Sequence, residues 1–592
     1  MLNRLLPIVL ILLLPCATTF GAEAFFPLRD IKPGMRGIGR TVFQGSRVEE
    51  FQVEILGVLQ NSGPKQSIIL ARLSGGPLAE TGVLQGMSGS PVYIDGKLVG
   101  AVALGFPFSK EPIAGIQPIE QMVSGTEGSD QAADAAPKSY AEVAAAERHG
   151  FGLPVSEASS TFSSPLRDIA TPLALGGFTE STLATFSTGL RALGFDAQQG
   201  AGTGSPTTAG YTGTVQPGSM ISVQLMTGDL NISADGTVTH VDGKKVYAFG
   251  HRFLTTGSTD LPFARAEVIA LLPSTNTSFK ISAPRELVGS MVSDRSTAVR
   301  GEIGRAAHMV PLEVTVDGAT GQHSYKIQLV NDRLLTPFLT QMALFTILDS
   351  TERMAGAGSL QVDGKVEFEG NAPPLDLANA FAADTSVVLQ ATMNLAVPIS
   401  YVLQTGFRAL RPKRISFRIH SVEQKRELAI DQIWLSQHEA RPGDVVTLNC
   451  VLSGEGGTQV QKSTQYRVPV GAPNGRLFFT VSDANILNFG DVAGLSPSSV
   501  RSPAQLIDIL NNMRPNDKAY VRVWRQQPSF ALPGADLTDP PPSIAMVLSK
   551  SSSSVGGAGL AVSSGAKIDE LQIPAGGFVV SGSKTVQLDI KE

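Results

Sequence analysis

The run Gly86-Met87-Ser88-Gly89-Ser90-Pro91, followed at once by Val92-Tyr93-Ile94-Asp95-Gly96-Lys97-Leu98-Val99, constrains this chain more than any other stretch. A serine beside glycine, with proline three residues on, has an exposed hydroxyl and backbone free to turn sharply. Asp-Gly between two β-branched runs is a strong two-residue hairpin signal, so Ser88 leads into a strand. That excludes a nucleophile elbow, which requires a strand, G-x-S-x-G and then a helix. Ser90 stands where that motif has glycine.

The rest of the chain is read around that turn. With 592 residues it is too long for one core and suggests three to five domains. Its 61 Gly, 37 Pro and only 6% aromatic residues, with many short Val/Thr/Ile runs, favour β-rich units joined by turns. The formal net charge of −5 comes with no stretch basic enough to suggest nucleic acid or an anionic membrane surface as a partner, Arg411-Pro412-Lys413-Arg414 reading as a solvated turn. No cofactor or metal motif stands out. Residues 1–24 read as a signal peptide: Asn3-Arg4, an apolar Leu5 to Leu14, and small residues around Ala22-Glu23-Ala24. Nothing later holds the roughly 18 apolar residues that span a bilayer. The mature chain is therefore expected to be exported, periplasmic or extracellular, and not membrane-spanning. Cys450 is then its one cysteine, read as a small buried hydrophobe in the run Val445 to Leu452.

Along the chain, residues 25–124 form a β unit with strands at Gly37 to Val42, Glu49 to Leu59, Ser67 to Leu73, Val92 to Ile94 and Leu98 to Leu104. Gln117 to Met122 is read as a short closing helix. Residues 125–164 are small and polar and read as a linker around a helix at Tyr140 to Arg148. Residues 165–305 make a second β unit. It contains Gly236 to His251, a strand, an Asp-Gly turn and a strand ending in Ala248-Phe249-Gly250-His251. Beyond it, 306–425 alternates apolar and polar residues around a helix from Pro337 to Leu348, 426–484 is sandwich-like, and 485–592 is an α+β region and tail.

The Gly86 to Pro91 run with its flanks, and the Gly236 to His251 segment, resemble the serine and histidine segments of the stage IV sporulation protein B serine peptidase family, over roughly residues 30–300. The resemblance implies a mainly β fold with a chymotrypsin-like double β-barrel peptidase module, here followed by β-sandwich accessory domains. It implies a serine endopeptidase acting on protein or peptide substrates, itself included. Ser88 takes the place of the nucleophile, His251 that of the general base, and the amides of Gly86 and Ser88 form the oxyanion hole. The order of the two segments is reversed relative to the family, and triad chemistry does not fix that order. The window where the family has its acid reads Ala71-Arg72-Leu73-Ser74-Gly75-Gly76 and has no carboxylate. Asp260 is a candidate third member, and Ser74 a weak alternative. A specificity pocket near Gly105 to Ile116 is a further expectation. The competing class is a cell-envelope binding or scaffold protein whose peptidase-like module is inactive.

Overall fold

The computed structural model describes residues 25–591 apart from 107, 127–139, 151–165, 193, 200–213, 255–256, 276, 320, 352–355, 493–499, 501, 528, 533–534, 539, 552–561 and 564. The signal peptide at 1–24 and most of the 125–164 linker lie outside the described residues.

Six strands build a first barrel: β1 (Arg36–Val42), β2 (Val48–Gly63), β3 (Gln66–Ser74), β4 (Pro91–Ile94), β5 (Lys97–Gly105) and β6 (Ile113–Pro118). They run in the order β1-β2-β3-β6-β5-β4, and β4 pairs back onto β1 through Ile38 and Tyr93 to close the ring. Period-two burial explains β2: Phe51, Val53 and Ile55 face the core while Glu50 and Gln52 face water. In β5 the six residues Leu98 to Ala103 are all buried, because Val99 and Val102 fill the barrel while Leu98 and Ala101 pack outward on Tyr247 and Ala298. The expected helix at Gln117 to Met122 begins later: β6 runs through Pro118, and the helix spans Ile119–Thr126.

A second barrel uses β7 (Met220–Gly228), β8 (Asn231–Asp242), β9 (Lys245–Ala248), β10 (Gly257–Leu272), β11 (Phe279–Arg295) and β12 (Ala298–Ile303). Its order, β7-β8-β9-β12-β11-β10 with β10 closing onto β7, repeats that of the first barrel strand for strand. Both barrels therefore place a candidate site loop on the same connection. Ser88 lies between the third and fourth strands of one, His251 between the third and fourth of the other.

The barrels meet along two small apolar clusters. One joins Tyr93, Leu98 and Ala101 to Tyr247 and Ala298, the other Val42 to Met220, Ala266 and Val268. Main-chain bridges Gly45 to Val268 and Gln85 to Phe279 stitch the same face.

The second barrel continues into the next unit. Strand Gly321–Val330 pairs with β7 and carries the sheet on to Met309–Gly318, Pro412–Val422 and Gly358–Phe368. Helices Leu335–Thr351 and Val387–Gln404 share its apolar core. The second of these has 18 residues and is long and apolar enough to cross a membrane, although no such segment is expected from the sequence; 72% of it is buried inside the protein. Tyr140, on the helix Tyr140–Gly150 in the expected linker, packs edge-on against Tyr401 of that helix.

The C-terminal sandwich differs from the expected division at 484. Its core joins Leu428, Leu448 and Leu452 to Leu477, Phe479, Val521 and Leu588, so strands on both sides of that boundary form one unit. The last strand, Ser583–Ile590, fills the place beside Gly475–Ser482. Cys450 is wholly buried in this core, which pushes its thiol up to about 11. It behaves as a small hydrophobe.

Candidate active site

The Ser88 turn is built almost entirely from main chain. Gly86 and Gly89 have φ of 88° and 95°, a region that side-chain-bearing residues avoid. Within the turn the amides of Met87, Gly89 and Ser90 donate to Leu84, Val102 and Met87 carbonyls. Among the described residues, the amides of Gly86 and Ser88 donate to no main-chain or side-chain acceptor, which leaves two N–H groups of the turn unspent. Contrary to the exposed hydroxyl expected from the sequence, Ser88 is fully buried beneath the second barrel that docks on its turn, and its hydroxyl has no hydrogen-bond partner.

The second barrel grips this turn. The Thr237 amide donates to the Ser88 carbonyl at 2.9 Å. Thr237 Oγ1 donates to the Gly86 carbonyl at 2.8 Å and Thr239 Oγ1 to the Gly89 carbonyl at 2.7 Å. The two threonines alternate along β8 and so share a face. Gly89 sits so close to β8 that a Cβ there would lie 2.0 Å from the Thr237 carbonyl oxygen and 2.6 Å from the Phe249 nitrogen.

That contact brings the histidine loop to the serine turn. Phe249 and Gly250 both have positive φ, and a Cβ on Gly250 would lie 3.0 Å from Ala101 Cβ in β5. His251 follows, 4% exposed, with Nδ1 2.7 Å from the Arg252 carbonyl. A carbonyl only accepts, so Nδ1 carries the hydrogen, and in the neutral ring Nε2 is the acceptor. Nε2 is buried and unpartnered. Ser88 Oγ and His251 Nε2 are thus two unsatisfied buried polar atoms on segments that meet across the barrel interface. No hydrogen bond joins them. Leaving such atoms unpaired costs about 1–3 kcal/mol each, which points to a site rather than to packing.

Asp260 lies on β10 with its carboxylate turned to other groups. It accepts from Ser290 Oγ at 2.7 Å and the His308 amide at 2.9 Å, and Arg305 lies 3.7 Å away. The imidazole Nδ1 is engaged by Arg252 instead, so the structure does not bring Asp260 to His251. Of the window expected to hold the specificity pocket, Ile113–Pro118 is a barrel strand, while Phe108 stands 77% exposed at φ 58°. Among the described residues no cluster of three His, Cys, Asp or Glu side chains could hold a metal ion.

Beneath the turn lies a buried polar cluster that the sequence does not announce. Lys280 on β11 is fully buried; its amide donates to the Gln85 carbonyl and its Nζ to Thr41 Oγ1 at 2.7 Å. A Cβ on Gly86 would lie 3.3 Å from its Cδ, so the lysine stem forms the floor of the oxyanion turn. Burial pulls its ammonium down to about 7, opposed by the Asp235 carboxylate. Burial raises the Asp235 carboxyl, while hydroxyl donors from Ser222 and Ser282 and the charge of Lys280 pull it back.

Comparison with known proteins bears on the barrel that carries the serine. Neither a curated protein nor a solved structure matches the chain. One family model does match, and its bounds follow the first barrel with its closing helix, stopping short of the His251 segment. Residues 27–123, with the Ser88 turn among them, are similar to the SpoIVB peptidase S55 family.

Proposed function

We propose that the chain is an exported serine endopeptidase in which Ser88 is the nucleophile and His251 the general base. The observation that carries the proposal is that three unspent groups lie on segments touching across the barrel interface: the Ser88 hydroxyl, the acceptor nitrogen of His251, and the amides of Gly86 and Ser88. In acylation the Ser88 proton passes to Nε2 as Oγ bonds to the scissile carbonyl carbon. The carbonyl oxygen takes the negative charge and is held by the two amides. Collapse then breaks the C–N bond, and the leaving amine takes its proton from Nε2. Water reverses the sequence on the acyl-enzyme. Base catalysis accounts for about 10²–10⁴ in rate and each oxyanion donor for roughly 10²–10³. The substrate is a protein or peptide, the chain itself included.

A second reading is favoured by one specific observation. Ser88 is wholly buried and makes no hydrogen bond to His251, as in a peptidase-like module kept as a cell-envelope scaffold. A fluorophosphonate probe separates the two. The peptidase gives a Ser88 adduct on the mature protein, and Ser88→Ala abolishes it along with turnover, a loss on the order of 10⁶. An unlabelled wild-type protein beside a fully labelled control protease would establish the scaffold.

A further inference from the structure

A histidine that takes a proton works best when a buried negative charge orients it and stabilises its charged form. Neither Ala71 to Gly76 nor Asp260 supplies one at His251. We infer that Asp294 is the carboxylate that positions His251, a reading that rests on the assignment of His251 as base.

Asp294 is the penultimate residue of β11 and is completely buried. Its two carboxylate oxygens accept main-chain N–H groups from the histidine loop: Oδ1 from Phe253 at 2.8 Å and Oδ2 from Leu254 at 2.6 Å. These amides lie two and three residues past His251 and 41 and 40 residues away from Asp294 in sequence. Asp294 also pairs with Gly257, the first residue of β10, so the loop is held at its exit by backbone and in its middle by a carboxylate. Charge-assisted bonds to two successive amides are short and strong. They fix the main chain that presents the Arg252 carbonyl to Nδ1, and through it the tautomer that leaves Nε2 free to accept. The same buried charge, one loop away from the imidazole, favours the imidazolium formed when the Ser88 proton arrives.

The strand topology strengthens the assignment. His251 lies between the third and fourth strands of its barrel, and Asp294 lies at the end of the fifth, beside the connection to the sixth. β11 reaches the histidine loop because β10, which starts where that loop ends, pairs with it. The charged group on the loop itself is that of Arg252, which lies 3.5 Å from Asp168.

The experiment compares full-length wild type with Asp294→Asn, using the rate of fluorophosphonate labelling against pH and the imidazole titration of His251 by NMR, assigned with His251→Gln. Labelling is expected to slow by about 10²–10⁴-fold, and the His251 titration is expected to move to lower pH because the stabilising charge is gone. If Asp294→Asn does not fold, Asp294→Ser takes its place, with room for water to meet the two amides. Unchanged labelling and an unchanged titration overturn the inference while leaving Ser88 as nucleophile. If wild type is never labelled, the assignment of function falls, and the His251 titration alone decides: a downward shift upholds the positioning role, and none removes it.

Discussion

The two barrels share one strand order and carry Ser88 and His251 on the same connection, yet they hold those residues by different means. The serine turn of the first takes its shape from within, from two glycines at positive φ and three hydrogen bonds made by its own amides, and is then gripped by Thr237 and Thr239 of the second. The histidine loop of the second is held from outside, by a strand that returns some forty residues later. A turn written in local residues can be placed from sequence and matched to a family. A loop whose conformation depends on a distant carboxylate cannot. That difference fits the bounds of the family match, which cover the first barrel only.

The sharpest way to break the comparison is to add one methyl group to each loop. Gly89→Ala drives a Cβ into two main-chain atoms of the second barrel, at 2.0 and 2.6 Å, neither of which can rotate away. Gly250→Ala meets the side-chain methyls of Ala101 and Ala103 at 3.0 and 3.1 Å. Gly89→Ala is expected to cost more than about 4 kcal/mol in denaturant unfolding, and Gly250→Ala about 1–3 kcal/mol, mostly from its φ. Equal losses would mean that the serine turn is not docked as described.

What was legible follows the same line. Gly86, Gly89 and the Asp95-Gly96 hairpin each speak for themselves, because a positive φ or a two-residue turn restricts which residues fit. The barrel strands of residues 36–105 were likewise readable from alternation, Phe51 and Val53 against Gln52 being typical. Lys280 was not: in Phe279-Lys280-Ile281-Ser282 it reads as the polar position of a half-exposed strand, and only the first barrel, closing over that face, buries it. Asp294 and the sandwich strands after residue 566 fail for a related reason, since their partners lie tens of residues away. Helix Val387–Gln404 was obscured by Pro398 in its interior.

Lys280 offers the next test, because it joins the barrels at the floor of the serine turn. Its folded value of about 7 lies below the ordinary lysine value of 10.5, so between those two pH values the unfolded chain binds the extra proton. Stability must then rise with pH across that window, by up to about 1.4 kcal/mol per pH unit, and be flat with respect to this group outside it. The Asp235 carboxyl, raised by burial, contributes the opposite slope starting from the ordinary carboxylate range. Lys280→Met keeps the stem behind Gly86 and removes the alkaline slope, while the Asp235 carboxyl, freed of the lysine charge, moves further up. Denaturant unfolding of both proteins from pH 7 to 10 would show it. Parallel curves would mean that the lysine is hydrated in solution.

The smallest effect concerns the two threonines with which the second barrel holds the first. Thr237→Val and Thr239→Val keep the shape of the side chain and delete one hydroxyl each, leaving the Gly86 or the Gly89 carbonyl without that donor. Each is expected to cost about 1–3 kcal/mol, the usual consequence of orphaning a buried acceptor. Their effects on the serine should differ. The Gly86 carbonyl begins the turn, next to the amides that face the oxyanion, whereas the Gly89 carbonyl lies past Ser88, where the Gly89 amide is still tied to Val102. Thr237→Val should therefore slow probe labelling of Ser88 by more than its loss of stability accounts for, and Thr239→Val should not. Equal labelling by the two variants would show that the turn keeps its shape without help, making the first barrel self-sufficient and leaving only the histidine loop dependent on its neighbours.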